Sequence, residues 1–196
     1  MAQKNNNFSS FLFHRDNFCH HGFAILSVKQ RQEACCERLE LGKYPATCGK
    51  RSHKKSLDFL RNLYEKLVTK YSLEQIKISI ISSSPDIVID KKYLYSEPVT
   101  NQNSVADLLI RLDQEILCRY QTFSSAGVKN IKEYNTGKNK IPYIFVLIDD
   151  LMKLSESIDQ INHLMARAAG IYTVGCTENF SELPMLVRSR FQVENV

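Results

Sequence analysis

The chain has 196 residues, 43% of them apolar and 10% aromatic, with only seven Gly and five Pro. That is the make-up of a globular protein with one sizeable core, or one core plus a small appendage, and it excludes a disordered or fibrous chain. The net charge of +5 is modest but uneven: Lys43 to Ser56 carries five Lys or Arg and no acid, and Lys129, Lys132, Lys138 and Lys140 form a second cluster. Such patches suit phosphate-bearing partners and also suit a merely solvated surface. Apolar runs such as Ile141 to Ile148 fall far short of the ~20 residues that cross a bilayer, and no long signal-peptide h-region opens the chain. A cytoplasmic protein without direct membrane contact is expected. Cys35 and Cys36 are adjacent, and Cys118 and Cys176 fall inside elements, which points to reduced thiols.

In chain order, Met1 to Asn7 reads as disordered, and residues 1–42 form a poorly defined N-terminal segment. Within it, Gly22 to Val28 has the composition of a short strand and Lys29 to Leu41 that of a helix. From Ser56, Leu57, Leu60, Leu63, Tyr64, Leu67 and Tyr71 recur at helical spacing, so a helix capped by Ser56 is expected. Ile76 to Ile81 reads as a strand stopped by Ser82-Ser83-Ser84-Pro85, and Ile87 to Ile89 as a second short strand. Ser104 opens a long helix with Val105, Leu108, Leu109, Leu112, Ile116 and Tyr120 on one stripe, ending near Gly127. A polar loop, Asn130 to Lys140, leads to the strand Ile141 to Ile148. A helix over Leu151 to Ala169 and a strand over Ile171 to Cys176 follow, with Gly170 between them. Helices alternating with buried strands predict an α/β fold, a mostly parallel sheet flanked by helices.

Two stretches carry chemistry. The strand Ile141-Pro-Tyr-Ile-Phe-Val-Leu-Ile ends on Asp149 and Asp150, the pattern of a Walker B element in which one acid organises Mg²⁺ and the next polarises the attacking water. The same acids could instead cap a helix start. Gly49-Lys-Arg-Ser-His-Lys-Lys55-Ser56 fits the phosphate-binding loop G-x-x-x-x-G-K-[ST], except that Lys54 stands where Gly is wanted. Gly49 would serve the loop, Lys55 would reach the terminal phosphates of ATP, and Ser56 would ligate Mg²⁺. Lys54 removes a residue free at positive φ, so a basic helix start is the competing reading. Cys19, His20, His21, Cys35, Cys36 and Cys48 include no C-x-x-C pair and match no common zinc spacing. His163 reads as packing or surface.

Three ordered blocks bear a family resemblance: Arg119-Tyr-Gln-Thr-Phe-Ser-Ser-Ala-Gly-Val-Lys-Asn-Ile-Lys-Glu-Tyr-Asn135, Ile141-Pro-Tyr-Ile-Phe-Val-Leu-Ile-Asp-Asp-Leu151, and Ala166-Arg-Ala-Ala-Gly-Ile-Tyr172. Together they resemble the motor domain of the FtsK/SpoIIIE DNA translocases over roughly Gly49 to Val193. The resemblance implies a RecA-like P-loop NTPase over residues 43–196, a homo-oligomer, in the family a hexameric ring, that uses ATP and Mg²⁺ to move double-stranded DNA, as in chromosome partition. It implies Lys55 and Ser56 as the Walker A pair, Asp149 as the Mg²⁺ acid, Asp150 in place of the catalytic Glu, and Arg167 as an arginine finger. Thr177 falls on the sensor Thr, with Glu178 where the family has Gln.

Other departures accompany these. Ser83-Ser84-Pro85 replaces Asp-Pro-Lys, and the loop from Walker B to the arginine finger is shorter. Neither the domain that precedes the family's motor nor its DNA-reading winged helix is evident. Lys54, Asp150 and Glu178 motivate an alternative in which a catalytically degenerate relative serves as a ring partner, of itself or of a full-length FtsK-like protein, or as a DNA-binding module. Arg167 could equally be a surface or salt-bridging residue. A third reading is an unrelated basic α/β protein.

Overall fold

The computed structural model describes residues 23–26, 47–48, 53–84, 87, 89–157, 167–185 and 191–193. Its elements are β1 (Phe23–Leu26), β2 (Thr47–Cys48), α1 (His53–Lys70), β3 (Ile76–Ile81), α2 (Gln102–Ser125), α3 (Ile131–Tyr134), β4 (Tyr143–Ile148), β5 (Ile171–Gly175) and β6 (Phe191–Val193). Short 3₁₀ turns lie at Lys91–Tyr93, Leu151–Ser157, Arg167–Ala169 and Phe180–Glu182. Strands β3, β4 and β5 form one parallel sheet in that order, and β2, β1 and β6 form a second parallel set. Strand β5 also runs beside β1 and β2.

The expected parallel α/β arrangement is therefore present, and side-chain alternation explains it. In β4, Ile144, Val146 and Ile148 pack with Val105, Leu108, Leu109, Leu112 and Ile116 of α2. Tyr143, Phe145 and Leu147 pack on the other face with Leu57, Phe59, Leu60, Leu63 and Leu67 of α1. A strand buried on both faces needs an unbroken apolar run, which is what residues 143–148 supply. Each fully buried Leu or Ile here contributes roughly 1.5–3 kcal/mol.

Several boundaries differ from the sequence expectation. Helix α1 starts at His53, so Ser56 lies inside its first turn, buried, and is not the cap. Helix α2 starts at Gln102, capped by Asn101, whose side chain accepts from the Ser104 N–H. Its buried stripe continues through Arg119 and Phe123, whereas Tyr120 is exposed. The run at 87–89 forms no strand at residues 87 and 89; Leu94 and Val99 bridge to β3 instead. The polar loop contains α3, closed by a reciprocal box in which Asn130 accepts from the Glu133 N–H and Glu133 accepts from Asn130 and from the Lys129 N–H. The Lys129 N–H, then Asn130, hold the Glu133 carboxyl below its usual range. That contribution is present above the ordinary carboxylate range and fades as pH falls through the lowered value. Where a helix is expected over 151–169, the described parts are 3₁₀ turns. The expected helix at 29–41 and five of the six Cys and His residues considered for zinc (all but Cys48) lie outside the described residues.

Gly170 links the amino ends of β4 and β5. Its φ is +80°, its carbonyl accepts from the Ile144 N–H at 2.9 Å, and an added Cβ would lie 2.3 Å from Ile131 Cδ1. Gly170→Ala combines left-handed strain with overpacking, so a loss of roughly 2–4 kcal/mol is expected. Urea unfolding checks it, and a change within experimental error would contradict the placement of Ile131.

Candidate active site

The carboxyl ends of β3, β4 and β5 converge. The Asp149 N–H donates to the Ile81 carbonyl at 3.1 Å, the Leu151 N–H to the Cys176 carbonyl at 2.7 Å, and the Cys176 N–H to the Ile148 carbonyl at 2.9 Å. These bonds bring Ser82, Ser83, Asp149, Asp150 and Thr177 to one edge of the sheet. The neighbouring strand β2 ends at Cys48, directly before Gly49. Gly49 itself and the side chains of Lys54, Lys55 and Arg167 lie outside the described residues. The path of the loop over 49–52 lies outside them too.

Asp149 is buried, and a buried carboxylate must be paired or hydrogen-bonded. Its Oδ2 accepts from the Ser82 hydroxyl at 2.8 Å and from the Ser83 N–H at 3.1 Å. Its Oδ1 receives the ammonium group of Lys153. The Ser84 N–H in turn donates to Ser82 Oγ at 3.1 Å, which orients that hydroxyl toward the acid. Asp150 behaves differently. It is half-buried, and its Oδ1 accepts from the Met152 N–H at 3.0 Å while its carbonyl accepts from the Lys153 N–H at 3.2 Å. It caps the turn Leu151–Ser157, the structural role that competed with catalysis in the sequence.

Thr177 is buried, and its Oγ1 has no hydrogen-bond partner among the described residues. An orphaned hydroxyl at this edge costs on the order of 1–3 kcal/mol unless something accepts or donates to it. It is the kind of group a phosphate or its water would satisfy. Glu178, next to it, is exposed.

The residues present can be tested against Mg²⁺. Ser56 is suitably buried, but Asp149 Oδ2 already takes two donors and Oδ1 takes a cation. A dication on Oδ1 would lie about 4 Å from the ammonium group, where repulsion between charges of two and one is roughly 8 kcal/mol at an effective dielectric near 20. Among the described residues no three His, Cys, Asp or Glu gather to offset it. The set in this arrangement does not fit the metal.

Lys153 carries no expectation from the sequence, and Ser82 and Ser83 only those of a strand stop and a departure from the family pattern. The signal was a Lys four residues after the acid, the spacing at which side chains meet along a helical turn. Arg119 opens the first resembling block, with no role of its own expected from the sequence. It is buried in α2, where Nε donates to Glu115 at 2.8 Å and Nη1 donates to the Ala169 carbonyl at 2.7 Å. It thereby fixes the turn Arg167–Ala169 that carries the predicted arginine finger.

No protein-family model matches the chain. It is 34% identical over 104 residues to DNA translocase FtsK of Sporosarcina ureae, and 32% identical over 104 residues to DNA translocase SpoIIIE of Bacillus subtilis (strain 168). Each match covers 44% of this chain and 13% of the relative. With FtsK of Caldanaerobacter subterraneus the match is 32% over 133 residues, 61% of this chain and 18% of the relative. The chain thus spans less than a fifth of these proteins. Among solved structures, the pCW3 conjugation coupling protein TcpA, determined with ATPγS, superposes with a TM-score of 0.57 at 18% identity, covering 78% of this chain and 48% of that one. EssC (ATPases 2 and 3) of Geobacillus thermodenitrificans gives 0.58 at 16%, covering 75% and 31%. These likenesses establish the fold as that of the P-loop ATPase motor domains.

Replacing Arg119 by Leu leaves the Ala169 carbonyl buried and unpaired, for an expected loss of roughly 2–3 kcal/mol. Glu115→Gln, which alters only a partly exposed partner, is expected to cost under about 1 kcal/mol. Equal losses in urea denaturation would show that the bond to Ala169 is not the important one.

Proposed function

We propose that this chain, a divergent relative of the FtsK/SpoIIIE DNA translocase motors, is a P-loop module that binds ATP and duplex DNA. It works in the cytoplasm as one subunit of a homo-oligomeric ring or beside a full-length FtsK-like partner, and does not itself sustain a motor's rate of ATP hydrolysis. The observation that carries this reading is the state of the two acids. Asp149 is neutralised by Lys153, and Asp150 is occupied as a cap. Lys55 and Ser56 lie in the first turn of an 18-residue helix, whose N-terminal N–H groups and dipole suit phosphate. Arg167, on its fixed turn, would serve a neighbouring subunit's nucleotide.

DNA is assigned to the other end of the sheet. Lys129, Lys132, Lys138 and Lys140 are exposed and lie in the segment before β4, whose first residue, Tyr143, is about 20 Å along the strand from Asp149. Their loop is closed by Asn135, whose side chain accepts from the Ile141 N–H and donates to its carbonyl, both at 2.9 Å. Nucleotide and DNA therefore draw on different charges.

A second reading, an active ATP-dependent DNA translocase with Asp150 as base, is favoured by Thr177, whose orphaned hydroxyl is suited to sensing a phosphate. Turnover separates the two. The proposal expects ATP to bind by calorimetry, while hydrolysis with duplex DNA present stays at the background of Lys55→Ala. DNA-stimulated turnover that Lys55→Ala and Asp149→Ala each abolish would establish the translocase reading instead. DNA affinity is expected to fall steeply with salt, and Lys138→Ala with Lys140→Ala to lower the log–log salt slope by roughly 2. Salt-insensitive binding would contradict the assignment.

A further inference from the structure

We propose that Lys153 is a built-in counter-cation, its ammonium group taking at Asp149 the electrostatic place of a divalent metal, so that nucleotide binding by this chain is independent of Mg²⁺. The contact is a built one. The Lys153 N–H donates to the Asp150 carbonyl, and the Lys153 carbonyl accepts from Gln102 Nε2 at 2.8 Å, so the first turn of α2 holds the residue from outside its own turn. Leu151 and Leu154, both fully buried, anchor that turn on either side. The stem of Lys153 is thus led to Asp149 by backbone bonds and packing.

The carboxylate is equally committed. Ser82 and Ser83 take one oxygen, and the charge that remains on the other is balanced at zero net charge by a cation that cannot diffuse away. Loss of the ammonium group would leave a buried carboxylate unpaired, which either destabilises the edge or recruits a free cation. A tethered cation also removes the need for phosphate to arrive with metal. This last consequence rests on the ATP-binding reading above; the Asp149 pairing does not.

Thermal unfolding of the full chain at constant ionic strength, with and without Mg²⁺, tests the pairing. The unmodified protein is expected to show no Mg²⁺ shift. Lys153→Met, which keeps the aliphatic stem, is expected to melt about 10 °C lower and to recover on Mg²⁺ titration in a saturable way. The double variant Asp149→Asn with Lys153→Met is expected to regain most of the loss without metal and to ignore it. If Lys153→Met alone fails to fold while the double variant folds, the pairing is supported. A Mg²⁺ shift in the unmodified protein equal to that of Lys153→Met overturns the proposal. So does a folded Lys153→Met indifferent to Mg²⁺, or failure of both variants to fold. In a parallel titration with a fluorescent ATP analogue, the unmodified chain is expected to bind equally, within about twofold, in Mg²⁺ and in EDTA, and Lys153→Met to bind about tenfold tighter with Mg²⁺. A large loss in EDTA for the unmodified chain overturns the metal independence. Absence of any nucleotide binding refutes the ATP reading and leaves the melting data to decide the role of Lys153.

Discussion

One buried carboxylate organises the functional edge of this protein. Asp149 ends a strand covered on both faces, where its charge is tolerated only because Ser82, the Ser83 N–H and Lys153 satisfy it. Those partners come from the end of β3 and from the turn after β4, and Gln102 ties that turn to α2. Asp150, next in the chain, caps the turn that carries Lys153. Breaking the pairing on one side would be costly, because the other charge would remain inside.

The opposite end of the sheet has its own brace, made of neutral and charge-assisted hydrogen bonds. Arg119 holds the Ala169 carbonyl, Gly170 admits Ile131 against the backbone, and Asn135 closes the loop at Ile141. These residues belong to the sequence blocks that resemble the FtsK/SpoIIIE motors. Within those blocks Arg119, Ile131, Asn135, Ala169 and Gly170 therefore read physically as architecture, a clasp between α2, α3, β4 and the Arg167 turn, while the middle block runs on to Asp149 and Asp150 at the site. The departures, Lys54, Asp150, Glu178 and the serines after β3, fall where nucleotide chemistry would be done. A scaffold can keep its packing while its site changes, because clasp and site lie at opposite ends of the strands.

Much of this was legible in the sequence, for reasons specific to each element. Residues 76–81 alternate Ile with Lys and Ser before an apolar end, residues 143–148 are an apolar run too short for a helix, and both are strands. The stripe of α2 was visible up to Ile116 and then failed, because a buried Arg119 looks polar in a pattern that counts only apolar side chains, while Tyr120 looks apolar and sits outside. Ser56 was read as a cap because Ser is the usual cap, yet the Lys residues before it are helix-compatible and the helix starts earlier. The pairing of Asp149 with Ser82 joins residues distant in sequence, and no local pattern announces it. Lys153 lies four residues after Asp149, within a helical spacing rule, but that rule pairs charges on exposed helix faces and does not announce a buried partner.

The most direct measurement is anomalous diffraction from crystals grown with an ATP analogue and Mn²⁺. The pairing described here predicts no metal peak at Asp149 and the Lys153 ammonium still on Oδ1, whether or not nucleotide is bound at the head of α1. A Mn²⁺ peak bridging Asp149 and Ser56, with Lys153 turned away, would contradict it and return the site to a metal-dependent motor.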